Sequence, residues 1–226
     1  MDNASWRVCG EGLAFFGRTN RLVSHELRNI LAIISETLSL IEEMKQMEKK
    51  GGKIPPGRIQ ALTESVLEEV VRGNRLIRDM NKFAHSVDHF ITEVNVRENV
   101  ALTIEICKLH APFKKTGLKL DGPKDCTLTT SPLYLHYLVF SALMAFLECD
   151  LPGNEIQIAI EAGGDGASLK FTGMKGCESS FPTDREMPVV EALAASFSTD
   201  SATGEVKLVL PGDIGATPLR DLRGNA

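Results

Sequence analysis

The chain has 226 residues, of which 43% are hydrophobic and 24% charged, with a formal net charge of -5; that suffices for one or two domains with real cores and is ordinary for a globular protein. The acidic balance argues against nucleic acid or an anionic membrane surface as the main partner. No run of about 18 apolar residues predicts a membrane span, the opening Met1-Asp2-Asn3-Ala4-Ser5 lacks the pattern of a secretory signal, and Cys9, Cys107, Cys126, Cys149 and Cys177 stand at no metal-ligand or CxxC spacing, so a cytoplasmic location with reduced thiols and no metal is expected.

In chain order, the first predicted element is one long amphipathic helix from near Glu11 to about Lys50. Its apolar stripe runs Phe16, Val23, Leu27, Ile30, Ile34, Leu38, Ile41 at the 3-and-4 spacing of one helix face. Gly51-Gly52-Lys53-Ile54-Pro55-Pro56-Gly57 breaks it. A second helix follows to about Val87, with Ile59, Leu62, Val66, Val70, Ile77, Met80 and Ala84 inside. Two long helices joined by a short turn make an antiparallel hairpin. Extra apolar rows (Leu22, Ile33, Leu40; Leu67, Val71, Leu76, Phe83) call for a further partner surface. A homodimer closing a four-helix bundle satisfies it.

After Asp88 the pattern changes. Phe90 to Val96 alternates like a strand, Val96 to His110 is compatible with a helix, and Leu118-Lys119-Leu120 with a short strand. Ser131-Pro132 opens a helix through Glu148. Glu155 to Ile160 and Ala167 to Phe171 alternate around Gly163-Gly164-Asp165-Gly166, a hairpin turn; it opens no helix and is no phosphate loop. A helix over Arg185 to Ser198 and a last strand over Val206 to Leu210 complete the chain. The expected fold is α+β: a helical hairpin over residues 1–88, then an α/β sandwich over 89–226 with helices on one face of a mixed sheet.

Within the first helix, His25-Glu26-Leu27-Arg28-Asn29 carries the chemistry. His25 is two residues from both Val23 and Leu27, so at ~100° per residue it points away from the apolar stripe. Asn29 follows by four and lies next to it along the axis; Glu26 is its sequence neighbour. An exposed imidazole with a carboxylate and a carboxamide in reach suits phosphoryl chemistry on nitrogen. His85, His89, His110 and His136 have no paired acid at useful spacing and are read as structural. Phe15, Phe16 and Ile30 are candidates for an apolar docking surface, with core packing preferred for Phe16 and Ile30.

Ser24-His25-Glu26-Leu27-Arg28-Asn29, followed by Leu31-Ala32-Ile33-Ile34, resembles the phospho-accepting box of the dimerisation and histidine-phosphotransfer domain of two-component sensor histidine kinases. That family usually has proline where this chain has Ile30. The second half resembles their ATP-binding domain in element order only. Tyr137 to Ala142 falls at the asparagine-rich helix, with Ser141 in the place of the Mg²⁺-binding asparagine. Ser168 to Gly176 falls at the strand and glycine turn, with Thr172 in the place of the adenine-binding aspartate. Arg185-Glu186-Met187-Pro188-Val189-Val190 replaces the glycine-rich turn, and the region between Ala162 and Pro188 is too short for the usual lid. These departures imply a domain that does not bind ATP in the kinase manner. The combination is similar to the ChpT-type histidine phosphotransferases and to the sporulation phosphotransferase of spore formers.

The resemblance implies that His25 takes a phosphoryl group from a receiver-domain aspartate of a response regulator through Nε2 and passes it to another. The receiver would bring the Mg²⁺, so no intrinsic cofactor is expected. Glu26 would hydrogen-bond Nδ1 or accept its proton and so fix the imidazole tautomer, Asn29 would orient a water on the phospho-aspartate and so give phosphatase activity instead, and Arg21 and Arg28 would offer donors to phosphate or to the receiver's acidic pocket. The alternatives are a divergent ATP-dependent sensor kinase, and a non-catalytic receiver-binding adaptor or phosphatase.

Overall fold

The computed structural model describes residues 3–110, 117–148, 155–173, 181–200 and 202–215. Helix α1 runs Asn3–Lys49 and α2 Arg58–Ala84. The chain divides into two compact units: Asn20–Lys82, and Met1–Thr19 together with Phe83–Ala226. The second boundary falls between Lys82 and Phe83, and the first turns of α1 count with the C-terminal unit.

In the hairpin unit, α1 ends because Gly51 adopts a left-handed conformation (φ 88). Gly52 N–H then donates to Met47 O at 3.0 Å and Gly51 N–H to Glu48 O at 2.9 Å, which satisfies two terminal carbonyls of the helix. Val23, Ile30, Ile41 and Met44 of α1 and Leu76 of α2 are buried. Gly73 of α2 faces Ile30 closely enough that an added Cβ would meet Ile30 Cγ2 at 3.5 Å. The seam is narrower than the sequence pattern predicts: Leu38 is exposed, and on α2 Val70 and Ile77 are exposed while Leu76, assigned to the outer row, is inside.

The C-terminal unit continues from α2 through a 3-10 turn, His85–Val87. Then come β1 Thr92–Asn95, α3 Val96–Cys107, β2 Gly117–Asp121, β3 Thr127–Thr130 and α4 Pro132–Glu148. The hairpin β4 Glu155–Gly163 and β5 Gly166–Thr172 follows, and α5 Met187–Ala192, β6 Ser196–Asp200 and β7 Glu205–Pro211 close the unit. β1 and β3 form a two-stranded pair, with a parallel bridge from Thr129 to Asp213; the other strands form a mixed sheet in the order β2-β4-β5-β7-β6. Within that sheet β2 and β4 are parallel and the remaining neighbours antiparallel. Asn95 caps α3 by accepting from Glu98 N–H at 3.0 Å.

Sheet register places Ile158 opposite Phe171 and Leu169 opposite Leu208, all fully buried on one face, where Phe146 of α4 meets Phe171 at 5.9 Å between ring centroids. The other face carries Lys170–Glu161 and Lys207–Glu161 ion pairs at 3.1 and 3.7 Å. At that exposure each contributes little. This is the expected α+β arrangement: a helical hairpin, then a mixed sheet with helices on one face.

Three elements differ from the sequence reading. α1 begins at Asn3, not near Glu11; Gly10 and Gly12 look like breakers, but Gly12 is where α1 comes against α4, and a Cβ there would lie 2.9 Å from Tyr134 Oη. The expected helix over Arg185 to Ser198 is short, because Ala194 (φ 49) ends it and Ser196–Asp200 pairs with β7 as an edge strand. Thr127–Thr130 is a strand that polar composition hides and that pairing with β1 creates. Phe15, a docking candidate, is fully buried among Phe83, Tyr137 and Phe140, with centroids 5.5, 5.6 and 5.2 Å away. Ile30 is buried too, and Phe16 is half-buried and stacks on Phe83.

One buried polar pair gives the unit a pH dependence. Thr103 Oγ1 donates to Asn99 O at 2.9 Å, so at 2.7 Å it accepts from His136 Nδ1–H. Burial pushes the His136 imidazole from 6.5 down to about 3. The unfolded chain binds this proton below about 6.5 and the folded chain does not, so acid favours unfolding throughout that interval. Denaturant titrations between pH 7 and 4 are expected to show stability falling by on the order of 1 kcal/mol per pH unit from this group, and His136→Gln should flatten that slope.

Candidate functional site

His25 sits on the outer surface of α1, as its offset from the apolar stripe predicts, with Ser24, Arg28 and Asn29 exposed around it and Arg21 exposed one turn earlier. Glu26 does not share that surface. It is 4% exposed, because it follows Val23 by three and precedes Ile30 by four, which puts it on the inward stripe. A carboxylate in an apolar seam needs a cation across from it. Arg72 of α2 supplies it, donating from Nη2 to Glu26 Oε1. The other guanidinium nitrogen, Nη1, donates to Glu69 Oε2 at 3.0 Å.

Asn29 joins this pair to the histidine. Its Nδ2 donates to Glu26 Oε2 at 3.3 Å and lies 3.3 Å from His25 Nδ1. The structure thus brings His25, Asn29 and Glu26 together, with the amide between the imidazole and the carboxylate. It adds Arg72 and Glu69, which sequence reasoning missed. The available signal was an acidic residue on an apolar stripe, which demands a facing cation; Arg72 stands beside the small Gly73, where the helices approach.

Of the other histidines, His85 does have an acid, against expectation: its Nδ1 is 2.6 Å from Asp88 Oδ2 on the exposed 3-10 turn, an i,i+3 pair. His89 is exposed, and burial lowers the His110 imidazole as it does that of His136.

The positions matched to nucleotide contacts lie in the C-terminal unit. Ser141 of α4 and Thr172 at the end of β5 are both half-buried; Gly173 (φ 93) closes the strand against the Glu155 carbonyl, where a Cβ would collide. Ahead of α5, Arg185 Nε donates to Glu11 Oε2 at 2.7 Å. Glu11 Oε2 also accepts from the Tyr137 hydroxyl at 3.2 Å, which lies 3.3 Å from Glu186 Oε1. Glu186 Oε2 in turn accepts from Thr183 N–H at 3.0 Å and from Thr183 Oγ1 at 2.5 Å. Burial first, then the Glu186 and Glu11 carboxylates, raise the Tyr137 hydroxyl well above the usual phenol range. A cavity of about 480 Å³ beside this network is lined by Arg7, Glu11, Asp184, Arg185 and Pro188. A second, about 510 Å³, lies on the open sheet face by Glu161, Ser168, Ser196 and Lys207.

Among the described residues no group of three or more His, Cys, Asp or Glu side chains could hold a metal. Cys9, Cys107 and Cys126 are free thiols; Cys149, Cys177 and residues 174–180, where a glycine turn is expected, lie outside the described residues. No helix among the described residues is long and apolar enough to cross a membrane.

Neither a protein-family model nor a curated protein matches the sequence. Among solved structures, the chain is similar to the histidine kinase AdeS of Acinetobacter baumannii at 13% identity, over 83% of this chain and 98% of that one, with a TM-score of 0.45. A bacterial phosphotransferase is similar at 10% identity, over 87% and 95% of the two chains, with a TM-score of 0.46. A histidine kinase from Burkholderia phymatum is similar at 9% identity, over 87% and 98%, with a TM-score of 0.44.

Proposed function

We propose that this chain is a histidine phosphotransferase of a two-component phosphorelay that carries phosphoryl groups between receiver-domain aspartates on His25 and takes none from ATP. The observation that carries the reading is the exposed His25 imidazole on α1, with Nδ1 engaged by Asn29 and Nε2 as the nitrogen offered to a partner. In the reaction, Nε2 forms a bond to phosphorus, the P–O bond to the aspartyl group breaks with its electrons kept by the aspartate carboxylate, and the ring proton leaves to solvent. The receiver's Mg²⁺ and lysine spread the charge that develops on the transferring group. Arg21 and Arg28, exposed on the same helix, supply donors to the phosphate or to the receiver's acidic pocket.

Two further parts of the reading have physical support. The hairpin leaves Leu31, Leu67 and Val71 at 62%, 59% and 66% exposure; burying these rows against a second copy gives a four-helix bundle and a homodimer. Thr172 offers no carboxylate to an adenine amino group. In the segment that replaces the glycine-rich turn, the backbone N–H groups of Glu186 and Met187 donate to Thr183 O and those of Val189 and Val190 to Glu186 O, so they are not free to cradle a phosphate. With its Mg²⁺ brought by the receiver, the chain needs no cofactor of its own and works in the cytoplasm.

The test is incubation with phosphorylated receiver domains, with label followed in acid and in base. An acid-labile, base-stable label on this chain, together with silent calorimetry against millimolar ATP, is the expected result. Micromolar ATP binding would move the chain to the divergent sensor kinases. Receiver binding without label would leave an adaptor.

A further inference from the structure

We infer that the first turns of α1, which belong to the C-terminal unit, pair with the same turns of a second copy through a face made by Trp6, Gly10, Leu13 and Gly17, so that the homodimer is held by this unit as well as by the hairpin. The inference rests on the homodimer proposed above and assigns its interface.

Helical spacing marks the face. At ~100° per residue, Trp6, Gly10, Leu13 and Gly17 fall within about 60° of one another on α1. Val8, Phe15 and Thr19, on the opposite side, are buried in the chain's own core. The charges of these turns stand apart from both: Arg7 donates to Asp184 O, and Glu11 pairs with Arg185. What is left is an uncharged stripe on which Trp6 is 64% and Leu13 76% exposed. Large apolar side chains repeated along one helix face in water mark a contact surface.

The glycines are a separate observation. A glycine inside a helix destabilises it, and is used where another backbone has to come close. Gly12 has such a reason within the chain, in Tyr134, but a Cβ on Gly10 or Gly17 would meet no atom within 4 Å. Gly10 borders the cavity beside Arg185; no described residue accounts for Gly17. Bare backbone next to Trp6 and Leu13 gives a second helix room to approach.

The period identifies that helix. From Trp6 to Gly17 the steps alternate four and three, and Asn20, Ser24, Leu27, Leu31, Ile34 and Leu38 keep the alternation. A strict repeat of about 3.5 residues over this length is the pattern of two helices supercoiled side by side. The inward stripe lacks it, taking two four-residue steps in a row from Phe15 through Thr19 to Val23. A second copy of α1 has the same phase along its whole length. Laid parallel and in register, it sets each large layer against its own kind and each glycine against glycine. Asn20, half-buried in the same row, then meets its own amide, and the N–H of one donates to the oxygen of the other only in that register. Leu31 and Leu38 are exposed further along the row, so the face runs on into the surface already assigned to the second copy. Stable interfaces take about 20–30 residues from each partner. The hairpin offers nine large exposed apolar side chains, and the turns from Trp6 to Gly17 extend the contact toward that size.

Trp6 is the only tryptophan in the chain, so its emission reports on this face alone. As the full-length dimer is diluted through its dissociation, followed in parallel by sedimentation, Trp6 emission is expected to move from blue to red. Leu13→Glu should raise the dimer Kd by at least about tenfold, the scale of burying an unpaired charge, while the dissociated chain keeps the wild-type helix content and melting temperature. Gly17→Ala is the sharper variant. Alanine favours the helix, so the dissociated chain should melt no lower than wild type; the added methyl should nevertheless weaken the dimer about three- to tenfold by overpacking the seam. A dimer in which Trp6 emits as in water at every concentration, and in which both variants dissociate as wild type does, would overturn the inference and leave the hairpin as the interface, with Leu31→Glu still weakening it. A blue shift seen only when a receiver domain is added would give the face to the receiver and sink the second copy as its occupant. A chain that sediments as a monomer at every concentration removes the homodimer itself, and this interface with it.

Discussion

His25→Ala is expected to abolish phosphoryl transfer from a phosphorylated receiver, a loss of at least on the order of 10⁴-fold, the scale of removing a nucleophile. Alanine has no lone pair to offer phosphorus, and nothing else on that surface replaces it: Asn29 is a weak nucleophile, and Arg21 and Arg28 are cations. The substitution should leave the fold alone. His25 is exposed, and alanine is the best helix former, so thermal stability should shift by no more than about 0.5 kcal/mol. That combination separates the candidate functions. A carrier loses all label and all signalling in cells while it still dimerises and binds receivers; an adaptor keeps its cellular activity. Retained signalling by a stable His25→Ala chain would therefore end the relay reading, whatever label the wild type takes up.

The hairpin, the exposed histidine and most strands were legible because each follows from local periodicity. His25 sits off the stripe by simple angle counting, and Ile156-Gln157-Ile158 alternates because one face of β4 is buried and the other faces solvent. What was illegible depended on a partner from elsewhere in the chain. Ser196–Asp200 and Thr127–Thr130 are polar strands that exist through their pairing with β7 and β1. Glu26 was placed by adjacency to His25, although the spacing Val23, Glu26, Ile30 already puts it inward. Periodicity alone gives no reason to seat a carboxylate there until Arg72 is seen across the seam. His85 and Asp88 stand at i,i+3, a helical spacing visible in the sequence itself. The early start of α1 stayed hidden behind Gly10 and Gly12, since the cost of a glycine in a helix is visible in sequence and the contact with Tyr134 that uses it is not.

Phe15→Ala is expected to cost about 3–5 kcal/mol, the range for removing a fully buried phenylalanine. Its ring touches Phe83, Phe140 and Tyr137, and the loss includes both transfer energy and the cavity left among rigid aromatic neighbours. The site has little freedom to collapse, because the same turns of α1 are held at Gly12 against Tyr134 and by the Tyr134 hydroxyl, which donates to Val8 O at 3.2 Å. Leu13→Ala is the control: it lies two residues away at 76% exposure and should cost under about 0.5 kcal/mol. Hydrogen exchange on the two variants locates the damage. If the N-terminal turns of α1 are core of the C-terminal unit, Phe15→Ala lowers protection in α4 and in the strands beneath it. A loss confined to residues 3–19, with α4 as protected as before, would mean that these turns merely extend the hairpin helix. It would also mean that the Glu11, Tyr137 and Arg185 network is a surface latch rather than part of the core packing.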